Sequence, residues 1–302
     1  MLLVMVATEV LADDGWDYKL ALSYGQQQLD GGWRLVGEQS TTNVEHHQLY
    51  NIESQSIGLD YRFLSHNQWL VKGHYNWLLP NSGRYQGKYF NQADLDQPYA
   101  LLQSQISSGD GSEFELAFGP QWRWQQRLGV SPLLAYRQHK QGSVLQQGNY
   151  TICDNQAQPH ACQASLGAVH GLDSKLQTSW QGWLYGVDIR WLLQPDWTLA
   201  MAWLRGPQRF NSQIKWNRDN RLQQPLSQTL QSTVNSDYLQ FGLSYALSKN
   251  HRNLILTWHQ ARHGSASGIS RYHLTNGVVE EHSMLFPSWR SQGWKLALQQ
   301  NF

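Results

Sequence analysis

The amino-acid sequence predicts an all-β protein: a closed ten-stranded antiparallel transmembrane β-barrel with short periplasmic turns and long extracellular loops. Three observations predict this fold. Apolar and polar side chains alternate with a period of two in ten segments, as they do in strands with one apolar face. Short and long connections alternate strictly between these segments. The last segment keeps the alternation to the final residue, the aromatic Phe302.

The first half of the chain contains five predicted strands. They cover residues 16–25, a segment from about 56 to 63, and residues 69–77, about 113–124 and 130–139. Most of the bulky apolar side chains in each strand fall on one face, and small or polar residues fall on the other. Short turns follow the second and fourth strands. Long loops follow the first strand, the third (80–97) and the fifth (to about 175).

The second half contains the other five strands, at residues 182–191, 197–203, 239–245, 253–263 and about 289–302. Residues 194–196 and 248–250 are short turns, while residues 206–235 and the Gly- and Ser-rich stretch before residue 289 are long loops. Each unpaired backbone group at an open sheet edge costs several kcal/mol in lipid, so we expect the sheet to close. No stretch resembles a linker, and residues 13–302 are predicted to form one domain.

The composition agrees with a barrel. Mean hydropathy is −0.56, as expected when only alternate residues face lipid. Fifteen Trp and 14 Tyr would supply the interfacial girdles, and no run of about 18 apolar residues could form a transmembrane helix. Lys and Arg number 23 against 22 Asp and Glu, a net charge of +1, which excludes nucleic acid as an electrostatic partner.

Export is predicted by two further features. Residues 1–12 (MLLVMVATEVLA) resemble the apolar part of a signal peptide cleaved after Ala12, although no Lys or Arg precedes it; a short apolar first strand is the alternative. Cys153 and Cys162 would close a short loop in an exported chain, which predicts a disulfide of about 2–3 kcal/mol. A metal site that adds His160 is the weaker alternative, and we expect no metal and no cofactor.

Charged residues on the inward faces predict a lumen network near the short turns. Its members are Asp60, Arg62, Arg123, Asp188 and Arg190. We expect a salt-bridged plug at the periplasmic end, because an aqueous channel needs about 16 strands. The alternative is a set of solvated lumen residues without fixed partners.

The strand count, the five long outer loops and the terminal Phe302 resemble the omptins, which are outer-membrane endoproteases. The resemblance spans residues 16–302. It implies location in the bacterial outer membrane and recognition of the last strand by the barrel-assembly machinery. Omptins hold a water between an Asp-x-Asp pair past strand three and an Asp-x-His pair past strand seven, with the His as base.

The omptin site residues are incomplete in this sequence. Asp94 and Asp96 form an Asp-x-Asp pair, but they fall later than the family pattern places it. Arg221 stands two residues after Asp219, where the family has His, and a guanidinium cannot accept a proton from water at neutral pH. The closer resemblance is therefore to omptin-like outer-membrane proteins without the protease residues, of which the protochlamydial type is one.

A second enzymatic alternative is lipid acyl hydrolysis. His263 and Ser265 have the His-x-Ser spacing of outer-membrane phospholipases, and residues two apart share a face of a strand. The Asn-Gly that follows the Ser in that family is missing here.

The favoured function is a structural or surface-interaction barrel with a plugged polar lumen. Its expected partners are outer-membrane lipid, lipopolysaccharide and a surface protein. Cations in the outer loops are candidates to bind lipid A phosphates. They are Arg84, Lys88, Arg209, Lys215, Arg218 and Arg221.

Overall fold

A computed structural model describes residues 16–36, 44–91, 94–154, 166–217, 219–248, 252–264, 266–286 and 288–302. The signal segment 1–12 and Cys162 lie outside these residues, so the signal peptide and the disulfide of Cys153 stay predictions.

The described chain is built from strands. Their bounds are β1 Trp16–Val36, β2 Val44–Ser65, β3 Trp69–Asn91, β4 Asp94–Ser108, β5 Gly111–Pro120, β6 Trp122–Trp124, β7 Leu128–Cys153, β8 Gly167–Val169, β9 Ser174–Gln194, β10 Trp197–Lys215, β11 Gln228–Ser248, β12 Arg252–His263, β13 Ala266–His273, β14 Val279–Phe286 and β15 Trp289–Asn301. No helix in the described ranges is long and apolar enough to cross a membrane.

These segments form the ten-stranded ring that the sequence predicts. Three of the ten strands are interrupted, as β4–β6, β12–β13 and β14–β15, and β8 is a short addition to β7. The ring closes because β1 pairs with β2 on one side and with β15 on the other, from Lys19 opposite Asn301 to Asp30 opposite Arg290. The backbone N–H of Phe302 donates to the Tyr18 carbonyl at 2.9 Å.

The strands are much longer than predicted. β3 continues through most of residues 80–97, and β10 and β11 enter residues 206–235 from both ends. Each of the ten strands therefore has a membrane-spanning half and an outer half, which we call the extracellular extension. Much of what was predicted as loop is a continuation of the barrel wall.

The membrane-spanning half carries an apolar outer surface. Leu22, Trp77, Trp183 and Leu256 are each more than half exposed on this surface, where hydrocarbon replaces water. Aromatic residues such as Trp122 lie beside the short turns, as expected of an interfacial girdle.

The interior of the extension is a packed apolar core. Its largest fully buried side chains include Trp33, Trp180, Phe210 and Trp289. The Trp180 ring lies 5.3 Å from Phe210 and 5.0 Å from Trp289, centroid to centroid. Trp289 also packs on Gly31, where an added Cβ would lie 2.2 Å from the indole, so a glycine is required there.

Candidate functional site

The lumen of the membrane-spanning half is crossed by an ion-pair cluster around Asp188. Arg62 Nη1 donates to one carboxylate oxygen at 3.1 Å, and Lys72 Nζ donates to the other at 2.6 Å. All three side chains are at least 87% buried. Arg62 and Lys72 are direct partners across β2 and β3, whereas Asp188 is on β9, so the cluster joins opposite walls. The shared carboxylate offsets part of the positive charge of the two cations, which the narrow lumen solvates poorly.

A second group of ion pairs lies in the same lumen. Arg137 donates through Nη1 to Glu115 at 2.6 Å and through Nη2 to Glu113. Its guanidinium carbon sits 3.9 Å from the centre of the Tyr238 ring. Lys295 of β15 binds Asp60 of β2. These contacts join β7 to β5 and β11, and they join β15 to β2.

The predicted lumen residues do not all join one network in the structure. Arg62 and Asp188 bind each other, and Asp60 binds Lys295 instead. Arg190 lines the same space as Asp188. The prediction for Arg123 is wrong: its side chain is exposed on β6, because that short segment lies beside the turn at the barrel end.

Two small spaces lie in the described part of the lumen. One of about 110 Å³ lies beside Asp188 and Lys72, and one of about 40 Å³ lies beside Arg137. Such volumes hold a few water molecules.

A polar chain inside the extension was missed by the sequence analysis. His47 Nε2 lies 2.9 Å from Glu45, and the same carboxylate oxygen accepts from the Tyr272 hydroxyl at 2.6 Å. On the other side of the ring, Nδ1 lies 2.6 Å from the Tyr85 hydroxyl. The Glu-x-His spacing places Glu45 and His47 on one face of β2, which is the signal that could have found them.

Electrostatics agree with an ionised Glu45. Burial raises the pKa of Glu45, but the hydrogen bonds from His47 and Tyr272 outweigh this effect, and the net pKa is below its usual value. Burial and the adjacent carboxylate hold the pKa of Tyr272 well above its ordinary value. The phenol therefore stays protonated and can donate.

The surroundings of His47 indicate a structural clamp. The ring is 1% exposed and is stacked on Trp33 at 4.8 Å, with Trp216 at 5.9 Å on its flank. Both ring nitrogens already have a partner. This geometry ties β2, β3 and β13 together and buries the ring among the described residues.

The aspartates of the protease alternative differ in their surroundings. Asp96 is exposed on β4, and the side chain of Asp94 lies outside the described residues. Asp219 forms a two-point ion pair with Arg221, at 3.0 Å to Nε and 2.7 Å to Nη2. Arg221 thus occupies the Asp219 carboxylate.

His263 of the lipid-hydrolase alternative points into the barrel. Its Nδ1 lies 2.7 Å from the Ser236 hydroxyl, and its ring stacks on Trp180 at 5.2 Å. Only 6% of His263 is exposed, and Ser265 lies outside the described residues. The histidine therefore faces the interior rather than the lipid.

The predicted phosphate-binding cations lie on two separate parts of the wall. Arg84 is exposed and Lys88 half-buried on β3. Arg209 is exposed and Lys215 half-buried on β10. Arg218 falls outside the described residues, and Arg221 is held by Asp219.

Comparisons with known proteins agree with this architecture. The family model described as "Pom: Protochlamydia outer membrane protein" matches residues 22–302. The chain is similar to the outer membrane protease OmpT of Escherichia coli, with a TM-score of 0.72 and 10% identity over 95% of this chain and 97% of that one. The outer membrane protein OprG of Pseudomonas aeruginosa also matches, at a TM-score of 0.34 and 7% identity over 96% and 97% of the chains. No curated protein matches. At these identities the structural likeness concerns the fold alone.

Proposed function

Because this chain belongs to the Protochlamydia outer membrane protein family, a family of bacterial outer-membrane proteins, we propose that it works at the cell surface as a closed interaction barrel. In this proposal the barrel is a scaffold that presents its extracellular extension to ligands. Transport through the lumen is not its role.

One observation carries the proposal: the interior is filled in both halves of the barrel. The Asp188 cluster and the Arg137 group cross the membrane-spanning lumen. Above them the apolar core around Trp180 occupies the extension. A solute would have to displace buried ion pairs and a packed core, each of which costs several kcal/mol to disrupt.

The expected partners follow from the surface. The apolar outer wall contacts membrane lipid, and Arg84 and Lys88, above it on β3, would bind phosphates or sugars of lipopolysaccharide. Arg209 and Lys215 would serve a second contact, to lipid or to a surface protein. We propose that the barrel-assembly machinery recognises β15.

Proteolysis through Asp94, Asp96 and Asp219 is the main enzymatic alternative, and lipid hydrolysis through His263 and Ser265 is the other. Two contacts weigh against them: Arg221 holds Asp219, and His263 faces Ser236 inside the barrel. We therefore rank both below the interaction function.

Planar-bilayer recording of the refolded protein tests the closed interior. We expect no stable conductance at moderate voltage, whereas large steady channels would overturn the proposal. Incubation with a dibasic peptide tests the main alternative. Cleavage that is lost in Asp96→Ala or Asp219→Ala but retained in Asp173→Ala, a control at an exposed loop carboxylate, would establish a protease instead.

A further inference from the structure

A row of four amide side chains crosses the outside of the extension. Gln48 of β2 is opposite Gln86 of β3, which is opposite Gln103 of β4, which is opposite Asn149 of β7. Residues directly opposite on adjacent strands have their side chains on the same face, about 5 Å apart. Neighbours of these residues on the same strands, such as Leu49 and Leu102, are buried, so the amide row faces outward. We call it the amide row.

A second row runs beside the amide row, two residues closer to the membrane on β2. It begins with Tyr50, continues through Arg84 and Gln105, and reaches β7 at Gln146. The Tyr50 hydroxyl bonds the side chain of Gln48 and so ties the two rows together.

Six of the eight residues in the two rows, all except Gln48 and Gln146, line a groove of about 620 Å³ in the wall. At its ends the ladder is interrupted by two non-glycine residues with positive φ: Asn51 at 49° and Gln147 at 52°. Bulges of this kind bend a strand and increase its twist, so they turn a flat sheet into a concave surface. Asn51 is held in place, since its backbone N–H donates to Asp30 at 2.6 Å.

Much of the hydrogen-bonding capacity of the groove is unused. Five of its lining side chains make no side-chain hydrogen bond or ion pair within the described part of the chain. They are Arg84, Gln103, Gln105, Gln147 and Asn149. Side-chain amides supply a donor and an acceptor each, and Arg84 supplies donors only.

A third row adds positive charge on the side of the groove away from the membrane. Arg34 is opposite His46, and His46 is opposite Lys88. Burial, Arg34, His47 and Lys88 lower the pKa of His46 to about 4. At neutral pH the row therefore carries two positive charges, from Arg34 and Lys88, beside a neutral imidazole.

From these three rows we infer that the groove binds an acidic oligosaccharide, a chain of pyranoses that carry carboxylate or phosphate groups. Paired amides match the donor and acceptor pattern of neighbouring sugar hydroxyls. Tyr50 offers an apolar ring face, and Arg84 and the third row offer cations for the acid groups. An extended peptide would need an open sheet edge or apolar pockets, and these strands are paired on both sides.

The height of the groove fits a sugar layer. Ile57 is an exposed apolar residue at the top of the lipid-facing part of β2. Seven residues separate it from Tyr50, which corresponds to roughly 23 Å along the strand. The inference names a ligand for the outer surface of the extension. It rests on the proposed function in one respect, that this outer surface is used for binding.

The test is a titration of the protein in phosphocholine nanodiscs, free of sugar-based detergent, with tetragalacturonate as the acidic probe and maltotetraose as the neutral one. Calorimetry should detect tetragalacturonate binding that is at least about tenfold tighter than maltotetraose binding and that weakens with salt.

Variants of the groove test which side chains are responsible. The double variant Gln103→Ala/Asn149→Ala should weaken tetragalacturonate binding about tenfold. Arg84→Gln should weaken binding of the acidic probe by a larger factor than binding of the neutral probe, because only the acidic probe loses a charge-assisted hydrogen bond. Gln177→Ala, an exposed amide on β9, is the matched control and should have no effect.

Two further arms identify the source of the sugar. Tighter binding of core oligosaccharide released from lipopolysaccharide than of tetragalacturonate would assign the groove to the cell's own surface, and the reverse order would assign it to an external glycan. Absence of binding to all three sugars, unchanged binding in the Gln103/Asn149 variant, or preference for a Gln-rich peptide would each overturn the inference. The outcome is separable from the proposed function, which stands or falls on the bilayer recording.

Discussion

The two halves of each long strand follow opposite rules. In the lower half of β1, Leu22 and Tyr24 face outward and Ser23 faces inward. In the upper half of the same strand, Trp33 and Leu35 are buried inside, while Arg34 lies on the outer wall. The apolar residues thus change faces partway along one continuous strand.

β9 repeats the inversion. In its membrane-spanning half, Trp183 faces lipid and is 54% exposed, while Asp188 faces the lumen. In its outer half, the inward residue is Trp180, which is 0% exposed. What lies outside the wall decides which face is apolar. Against hydrocarbon the outer face must be apolar, and the lumen receives the polar groups. Against water the ordinary hydrophobic effect applies, and the interior receives the apolar groups.

The comparison predicts that replacing two tryptophans on β9 by alanine will lower the free energy of unfolding by very different amounts. Trp180→Ala should destabilise the protein by about 4 kcal/mol, because it leaves a cavity among Phe210, Trp289 and His263. Trp183→Ala, the matched control on the lipid face, should cost clearly less, since lipid chains refill the space. Urea unfolding in vesicles measures both values, and equal losses would contradict an inverted pattern.

The lower half should be sensitive to loss of charge balance. Asp188→Asn leaves Arg62 and Lys72 without their carboxylate and should destabilise the barrel by about 3 kcal/mol. Asp196→Asn, in the turn that joins β9 to β10, should change the free energy of unfolding by less than about 0.5 kcal/mol. A fully stable Asp188→Asn protein would mean that the cluster is solvated and does not plug the lumen.

The smallest effect is a loss of stability of the extension in acid. His46 has a folded pKa of about 4, below its ordinary value of 6.5, so the unfolded chain binds its proton first and stability falls from pH 6.5 toward 4. The lowered pKa of Glu45 acts in the same direction below about pH 4.5, where its carboxylate begins to take up a proton in the unfolded chain.

Hydrogen exchange of the β2 and β3 amides between pH 7 and 4 measures this loss. His46→Gln should remove the loss of stability that occurs between pH 6.5 and 4. The control His170→Gln, at an exposed turn, should leave that loss unchanged. An identical pH profile in both variants would show that His46 is not its source.

The sequence by itself determined the barrel and the chemistry of its lumen. The period of two, the alternation of connections and the apolar parity of the last strand predicted ten closed strands, because lipid imposes that parity on every strand that crosses it. The inward parity of Arg62 and Asp188 placed them in one lumen. The same criterion fails above the membrane: it predicts loops at residues 80–91 and 206–215, which are strands whose apolar residues lie on the other face.

Only the tertiary structure decided which residues meet. Tyr272 and Glu45 are 227 residues apart and bond because closure of the ring brings β13 to the inner face of β2. Arg123 was excluded from the lumen by the short turn beside it, and the amide row was assembled by the register of four strands, which no single strand encodes. The physical reason is that alternation is local to each strand, whereas partners inside a closed barrel are set by shear and closure of the whole ring.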